Sequence, residues 1–257
     1  MKFGVCCIPE QFEIVKKAGY DYVEMPLCII ADKTDKEFEE YVRPLKECGL
    51  MAETFNSFFK SDMRIAGGKV NYSYINDYAE KSFSRAASIG GKVAVFGSGK
   101  ARNIPKGYDR SRAEEELFNS LNICGDIAGK YGLRIAVEPL NDEETNFINT
   151  VGESLEFCRR LNNSNVGVLA DFYHVYKTGE SLEAIENAGD MLLHVHLARA
   201  NDDRLIPNIE EDADTCRKWA SALKKCGYNK RISLEGLYRP NFEKSIENAR
   251  KILELFE

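Results

Sequence analysis

Histidine is scarce in this chain. There are three among 257 residues, too few for a cluster of several metal ions built largely on imidazole. Tryptophan occurs once and proline seven times, and no proline-rich, low-complexity or charge-block tract marks a linker. No apolar run reaches 18 residues, so no transmembrane helix is expected. Basic charge is in deficit: 35 Lys and Arg stand against 41 Asp and Glu, a net charge of -6. That balance disfavours a non-specific nucleic-acid surface, although a local basic cleft stays open. The eight cysteines include no C-x-x-C pair. They are scattered through apparent strands and helices, as with Cys28, Cys124, Cys158 and Cys226, and free buried thiols in a reducing cytoplasm are expected. Met1 to Val5 lead straight into a strand-like run rather than a secretory leader, which also points to the cytoplasm.

What the chain has in quantity is core material and repetition. Hydrophobic residues make up 44% and charged residues 30%, enough apolar surface for a full core. Short β-rich runs at 2–8, 22–27, 50–56, 92–97, 134–140, 166–171, 192–198 and 231–236 predict eight strands. Amphipathic runs follow at roughly 9–18, 34–48, 72–89, 110–131, 151–161, 181–188, 214–226 and 242–256. The last carries Ile246, Ala249, Ile252, Leu253 and Phe256 at helical spacing. Helix-to-strand junctions repeat a glycine, at Gly19, Gly49, Gly132 and Gly227, suited to left-handed helix caps. Eight β/α units in this length predict a single (β/α)8 TIM barrel domain over 1–257. A doubly wound open sheet is the architectural alternative. The stretches from Lys60 to Asn71 and from Gly97 to Tyr108 are the long loops expected on the C-terminal face, where barrel active sites are built.

Four strand ends carry ligand-type side chains. Glu138 follows Arg134–Val137, Asp171 ends Val168–Ala170, His196 lies late in the run from Leu192, and Glu235 follows Arg231–Leu234. Alone, each is as well explained as a helix cap, a salt-bridge partner or a core histidine. On four consecutive strands of one barrel they converge, and three buried carboxylates need a cation. Three oxygens and one nitrogen form a hard set, better suited to Mg2+ or Mn2+ than to structural zinc. His194 and His196 face the same side; the outer one, His196, is expected to reach the mouth and His194 to lie deeper. Of the adjacent Cys6 and Cys7, one should face the barrel interior. The Gly97-Ser98-Gly99 run reads either as a tight turn or as a phosphate cradle, with the turn favoured.

These residues carry a resemblance. Val137-Glu138-Pro139-Leu140-Asn141, Glu144-Thr145-Asn146-Phe147, Asp171-Phe172-Tyr173-His174, His194-Val195-His196 and Ser233-Leu234-Glu235 resemble the xylose isomerase-like barrel superfamily (sugar phosphate isomerase/epimerase). Within it they look most like the ketose 3-epimerases acting on tagatose and psicose. The resemblance implies a divalent ion (Mn2+ or Mg2+, with Co2+ a further option) on Glu138, Asp171, His196 and Glu235. It implies that Glu138 and Glu235 are also the acid/base pair, and that Glu144 and His174 hold a sugar or keto-sugar substrate. It further implies a homodimer or homotetramer. The family pattern H-x-x-E/D-x-x-R departs here: Arg199 fills the acidic position and Arg204 lies eight residues past His196 rather than six. Arg204 is carried as a substrate-binding candidate on a longer loop.

The chemistry that fits is proton transfer next to a sugar carbonyl through an enediolate, with two carboxylates serving opposite faces in an epimerase. An aldose–ketose isomerase uses the same residue types. The alternatives are an inosose or keto-sugar dehydratase on the same metal site and a non-catalytic sugar-binding barrel. Endonuclease-IV-like repair shares the fold but asks for more histidines and a basic groove. Phe58, Phe59, Tyr173 and Tyr238 are candidates for an apolar wall beside the sugar.

Overall fold

In the computed structural model, which describes residues 1–257, all eight expected strands form. They are β1 (Lys2–Cys6), β2 (Tyr22–Pro26), β3 (Ala52–Asn56), β4 (Val93–Phe96), β5 (Arg134–Val137), β6 (Val166–Asp171), β7 (Leu192–Leu197) and β8 (Arg231–Leu234). All neighbours pair in parallel, and β8 pairs back onto β1 to close the barrel. The closed ring rules out the doubly wound alternative. β3 and β6 end at the expected residues, and the other six strands end one to three residues earlier than the apolar runs suggest, because the chain turns outward into the loops above the barrel.

The helices are α1 (Phe12–Lys17), α2 (Leu27–Asp32), α3 (Asp35–Cys48), α4 (Tyr72–Ser88), α5 (Gly99–Arg102), α6 (Arg110–Lys130), α7 (Val151–Leu161), α8 (Phe172–Thr178), α9 (Glu183–Glu186), α10 (Ile209–Lys225) and α11 (Phe242–Leu253). Several starts are capped as their sequences require. Thr34, Asp109, Thr150 and Asn241 each accept a backbone N–H from three residues on. The sequence pattern misses α2, α5 and α8, and it overextends α9, which was expected over 181–188. These pieces are four to seven residues long, too short to show a helical period. α8 matters most. Asp171 ends β6 and at once caps α8, its Oδ1 accepting the Tyr173 N–H at 2.8 Å. His174 therefore stands on the first turn of a helix and not in a loop.

Two apolar clusters hold the molecule. The larger includes helix–helix contacts, as where Phe172 of α8 stacks on Trp219 of α10 with ring centres 4.3 Å apart. The smaller comprises Val93, Val95, Ala136, Leu169 and Leu193 on β4 to β7. Ala136 and Leu169 stand two residues before Glu138 and Asp171, so strand alternation puts them on the same inward face. On the other side of the ring the interior is polar. The Tyr22 hydroxyl meets Ser233 Oγ at 2.9 Å, and Thr54 Oγ1 donates to Glu24 at 2.7 Å. At the N-terminal end Glu53 accepts from Lys2 and Arg231, both at 2.5 Å.

Gly4 shows how tightly the polar half is packed: a Cβ there would stand 2.2 Å from the Tyr22 ring. Because that ring is also held by Ser233, Gly4→Ala is expected to cost about 1–3 kcal/mol of stability through overpacking. Urea denaturation measures it, and an unchanged midpoint would mean that Tyr22 has room to move.

Candidate metal centre

The four ligand-type residues meet at the C-terminal mouth. Glu138 follows β5 and stays in register by donating its N–H to Phe96 O at 3.0 Å. Glu235 follows β8 and donates to Leu197 O at 3.2 Å. Asp171 closes β6, and His196 sits inside β7. One ligand atom from each of the four lies within 4.8 Å of the others. His196 Nδ1 is 3.2 Å from Glu138 Oε1 and 3.0 Å from Glu235 Oε2. Oxygen ligands held at about 2.1 Å from a small cation stand about 3.0 Å apart when adjacent and about 4.2 Å apart when opposite. The four ligand atoms are gathered closely enough to fit a small divalent ion after side-chain adjustment.

The electrostatics ask for positive charge. Burial pushes the Glu138 carboxyl up, against a hydrogen bond from His196, and the neighbouring Glu235 and Asp171 charges push the same way. Burial also opposes ionisation of Glu235, but His196 and Arg204 outweigh it and hold that carboxyl at about 2. His196 lies well above the usual imidazole range: burial disfavours its charge, and the Glu235 and Glu24 carboxylates override that. Arg204 Nη2 lies 3.0 Å from both Asp171 Oδ2 and Glu235 Oε2. An imidazolium and a guanidinium thus balance the carboxylates, as a divalent ion would.

The candidate substrate residues stand beside this cluster. Glu144 Oε1 is 3.8 Å from Arg204 Nη1 and 3.9 Å from His174 Nε2. Arg204 reaches inward from a left-handed backbone position, φ 48°, and its guanidinium lies 4.7 Å from the Tyr173 ring centre. Arg199 turns away instead, onto Glu211 and Asp212. His174 is almost wholly buried. Its Nδ1 accepts the Asn141 backbone N–H at 3.2 Å, so the proton of the neutral ring sits on Nε2. That Nε2 has no hydrogen-bond partner in the protein, and so it is a free donor beside the carboxylates.

Four residues the motif reading passed over complete the arrangement. Asn56 of β3 donates to Glu235 Oε1 at 3.1 Å. Asn141, quoted in the first motif but given no role there, holds His174 as described. Arg102 is fully buried and donates to the carbonyls of Glu138 (2.8 Å), Ile148 (3.3 Å) and Phe96 (3.4 Å), tying the ends of β4 and β5 together. Burial lowers its pKa to about 10. Glu24 of β2 is fully buried and receives both His194 Nε2 at 2.8 Å and His196 Nε2 at 3.0 Å. The mutual attraction with His196 and His194 outweighs burial and keeps its carboxyl well below the usual range. One signal was available: Tyr22 and Glu24 alternate in a run that is otherwise apolar, so a charge had to point inward.

His194 lies beneath His196, as expected, with ring centres 5.0 Å apart. All eight cysteines are free. Cys6 is the inward member of its pair, with Sγ 4.0 Å from Glu235 Oε1. Phe58 and Phe59 stack on each other at 4.1 Å and are core residues. Tyr238 is tied down by its hydroxyl to Cys6 O at 2.8 Å. The Gly97 turn is no phosphate cradle: a Cβ on Gly97 would sit 2.3 Å from Glu138 Oε2, and an anion there would face a carboxylate. Ser98 Oγ is already occupied by the Phe59 N–H at 3.0 Å.

Fold and cluster together define a (β/α)8 barrel with a candidate divalent-metal centre at its mouth. The chain belongs to the xylose isomerase-like TIM barrel family, which it matches over residues 12–256. It is similar to the D-psicose 3-epimerase of Agrobacterium fabrum, 26% identical over 203 residues that cover 74% of this chain and 66% of that protein, just under two thirds. It is also similar to the inosose isomerase of Bacillus subtilis, 26% identical over 275 aligned residues covering 93% of this chain and 88% of the relative. The 3-dehydro-D-guloside 4-epimerase of Escherichia coli is 26% identical, covering 74% of each chain. Among solved structures, a D-psicose 3-epimerase determined in the presence of D-fructose superposes with a TM-score of 0.83 at 19% identity, covering 99% and 97% of the two chains. At that identity the superposition speaks for the fold.

The close approach of Gly97 to Glu138 yields a test. Gly97→Ala is expected to displace the Glu138 carboxylate and to weaken Mn2+ binding by roughly 10–100-fold, the range for groups that orient a ligand. Calorimetric titration reads the affinity; an unchanged value would separate Glu138 from the centre.

Proposed function

We propose that this protein is a metal-dependent carbohydrate epimerase or isomerase that moves a proton next to a carbonyl on a ketose or related keto-sugar. The observation that carries the reading is the cluster of Glu138, Asp171, His196 and Glu235, with the free His174 Nε2 donor beside it. The names of the three relatives, two epimerases and one isomerase, support the same reaction class.

Glu138, Asp171, His196 and Glu235 would hold the ion. When bound, a divalent cation supplies positive charge that stabilises a negative carbonyl or hydroxyl oxygen of the sugar. The other steps belong to side chains. Glu138 and Glu235 stand on β5 and β8, separated around the ring, so a sugar between them offers one face to each. One carboxylate takes the proton from carbon, and the other returns a proton to the opposite face. His174 donates from Nε2 to a substrate oxygen, and Asn141 keeps that tautomer. Arg204 and Glu144 bind further hydroxyls. Asn56 orients the Glu235 carboxylate. Asp171 and His196 take no part in proton transfer. The B. subtilis relative favours testing a cyclic keto-sugar alongside open-chain ketoses, because its match covers almost the whole chain.

Two outcomes follow. First, His196 lies well above the usual imidazole range, so it is protonated near neutrality in the metal-free protein. Mn2+ binding is therefore expected to release at least one proton, and affinity should rise with pH until His196 is neutral without the ion. Calorimetry in buffers of different ionisation enthalpy counts the protons, and binding without release would remove His196 from the ligand set. Second, incubation with Mn2+, D2O and a panel of ketoses, 3-keto-glycosides and inososes should put solvent deuterium beside the carbonyl of the accepted substrate. Glu138→Gln and Glu235→Gln should each lower turnover by roughly 10²–10⁴-fold. In an epimerase each variant still exchanges the C–H of one epimer; in a single-base isomerase only one glutamate is sensitive. Loss of water from the product would indicate a lyase, and wild-type rates in both variants would overturn the mechanism.

A further inference from the structure

One fully buried carboxylate, Glu24, is neither a proposed metal ligand nor a proton carrier. Glu24 has no exposed surface, and each of its oxygens is engaged. Oε1 lies 3.0 Å from His196 Nε2; Oε2 lies 2.8 Å from His194 Nε2 and 2.7 Å from Thr54 Oγ1. An ionised carboxylate only accepts hydrogen bonds. The three groups around it must therefore all present protons, and the imidazole of His196 must carry one on Nε2. A neutral imidazole has a single N–H, so its Nδ1 is then a bare lone pair. That Nδ1 is the atom turned toward Glu138 and Glu235, at 3.2 and 3.0 Å.

We infer that Glu24 is a positioning residue for the metal centre: it fixes the proton of neutral His196 on Nε2 and so directs the Nδ1 lone pair at the three carboxylates. This rests on the metal-centre reading above and adds a residue to it. His194 holds the other Glu24 oxygen, so the carboxylate cannot rotate away from His196 without breaking that second buried imidazole contact. Cys6 does not compete for the role. Its thiol lies near Glu24 and His196, but its hydrogen bond goes to Glu235 Oε1, at 4.0 Å. The carboxylate is specifically required. A glutamine has one accepting oxygen and an NH2 donor for the same three partners, so it leaves one imidazole facing a donor. If that imidazole is His196, its proton moves to Nδ1 and blocks coordination.

The test measures Mn2+ affinity by calorimetry on the full-length wild type, Glu24→Gln and Thr54→Val. It also records histidine 15N–1H spectra of the Mg2+-loaded wild type. Glu24→Gln should weaken Mn2+ binding by roughly 10–100-fold, the range for outer-shell partners of a ligating histidine. Thr54→Val, which removes a donor to Glu24 without touching His196, should bind close to wild type. The loaded wild type should show the His196 proton on Nε2 and none on Nδ1. Unchanged affinity in Glu24→Gln overturns the inference while leaving the metal centre standing, and equal weakening by Thr54→Val would reduce Glu24 to general packing. Should Glu24→Gln not fold, the wild-type spectrum still decides: a His196 proton on Nδ1 overturns the inference. Wild-type protein that binds no Mn2+ removes the metal-centre reading and this inference with it.

Discussion

Three carboxylates gathered at the mouth of one barrel is the constraint on which the site depends. Burial raises the proton affinity of Glu138, and the Glu235 and Asp171 charges close beside it add to that cost. Such a cluster persists in a folded protein only if positive charge is held against it. Here His196 lies between two of the carboxylates, and Arg204 bridges Asp171 and Glu235. Arg204 takes a left-handed backbone position to do so, a conformation that non-glycine residues seldom adopt. The loop after β7 is thus bent to the demand of the acids, which explains why Arg204 reaches the site from a longer spacing.

The barrel interior is divided to serve the same end. Beneath Glu138 and Asp171 the wall is apolar, with Val95, Ala136 and Leu169, so these two carboxylates find no polar partner below them and look outward to the mouth. On the β8 to β3 side the wall is polar, with Tyr22, Ser233, Thr54 and Glu24 in hydrogen-bond contact. There the histidines of β7 find their acceptor. One half of the ring thus supplies rigid packing, and the other supplies the buried hydrogen bonds that orient imidazole rings. A polar interior of this kind is stable only when its members satisfy one another, and among these residues only His194 Nδ1 lacks a partner.

The barrel and its four clustered residues were legible because they repeat. Eight apolar runs punctuated by glycine give a period, and acids at strand ends share a position within it. What stayed hidden has no period. Glu24 acts from the middle of β2 on a histidine more than 170 residues away, and only ring closure brings them together. Arg102 looked like one basic residue in a basic loop, yet its guanidinium is the fully buried tie between Phe96 and Glu138. The helix α8 was invisible because a run from Phe172 to Thr178 is too short to display 3.6-residue spacing. Its presence is nonetheless what points His174 into the site.

The two glutamates proposed as the acid/base pair are chemically similar and differently housed. Burial opposes ionisation of Glu235, but His196 and Arg204 outweigh it and hold that carboxyl at about 2, and Asn56 donates to its other oxygen. Glu138 has no guanidinium on its carboxylate. Arg102 contacts only its backbone carbonyl, and burial beside other acids raises its proton affinity. Paired carboxylates whose surroundings push them apart in this way suit opposite tasks, one holding a proton while the other accepts one. In the metal-free protein this asymmetry leaves Glu138 the more readily protonated of the two and Glu235 the more firmly ionised. The difference between the two is made by His196 on β7 and Arg204 on the loop after it, which together hold Glu235 ionised.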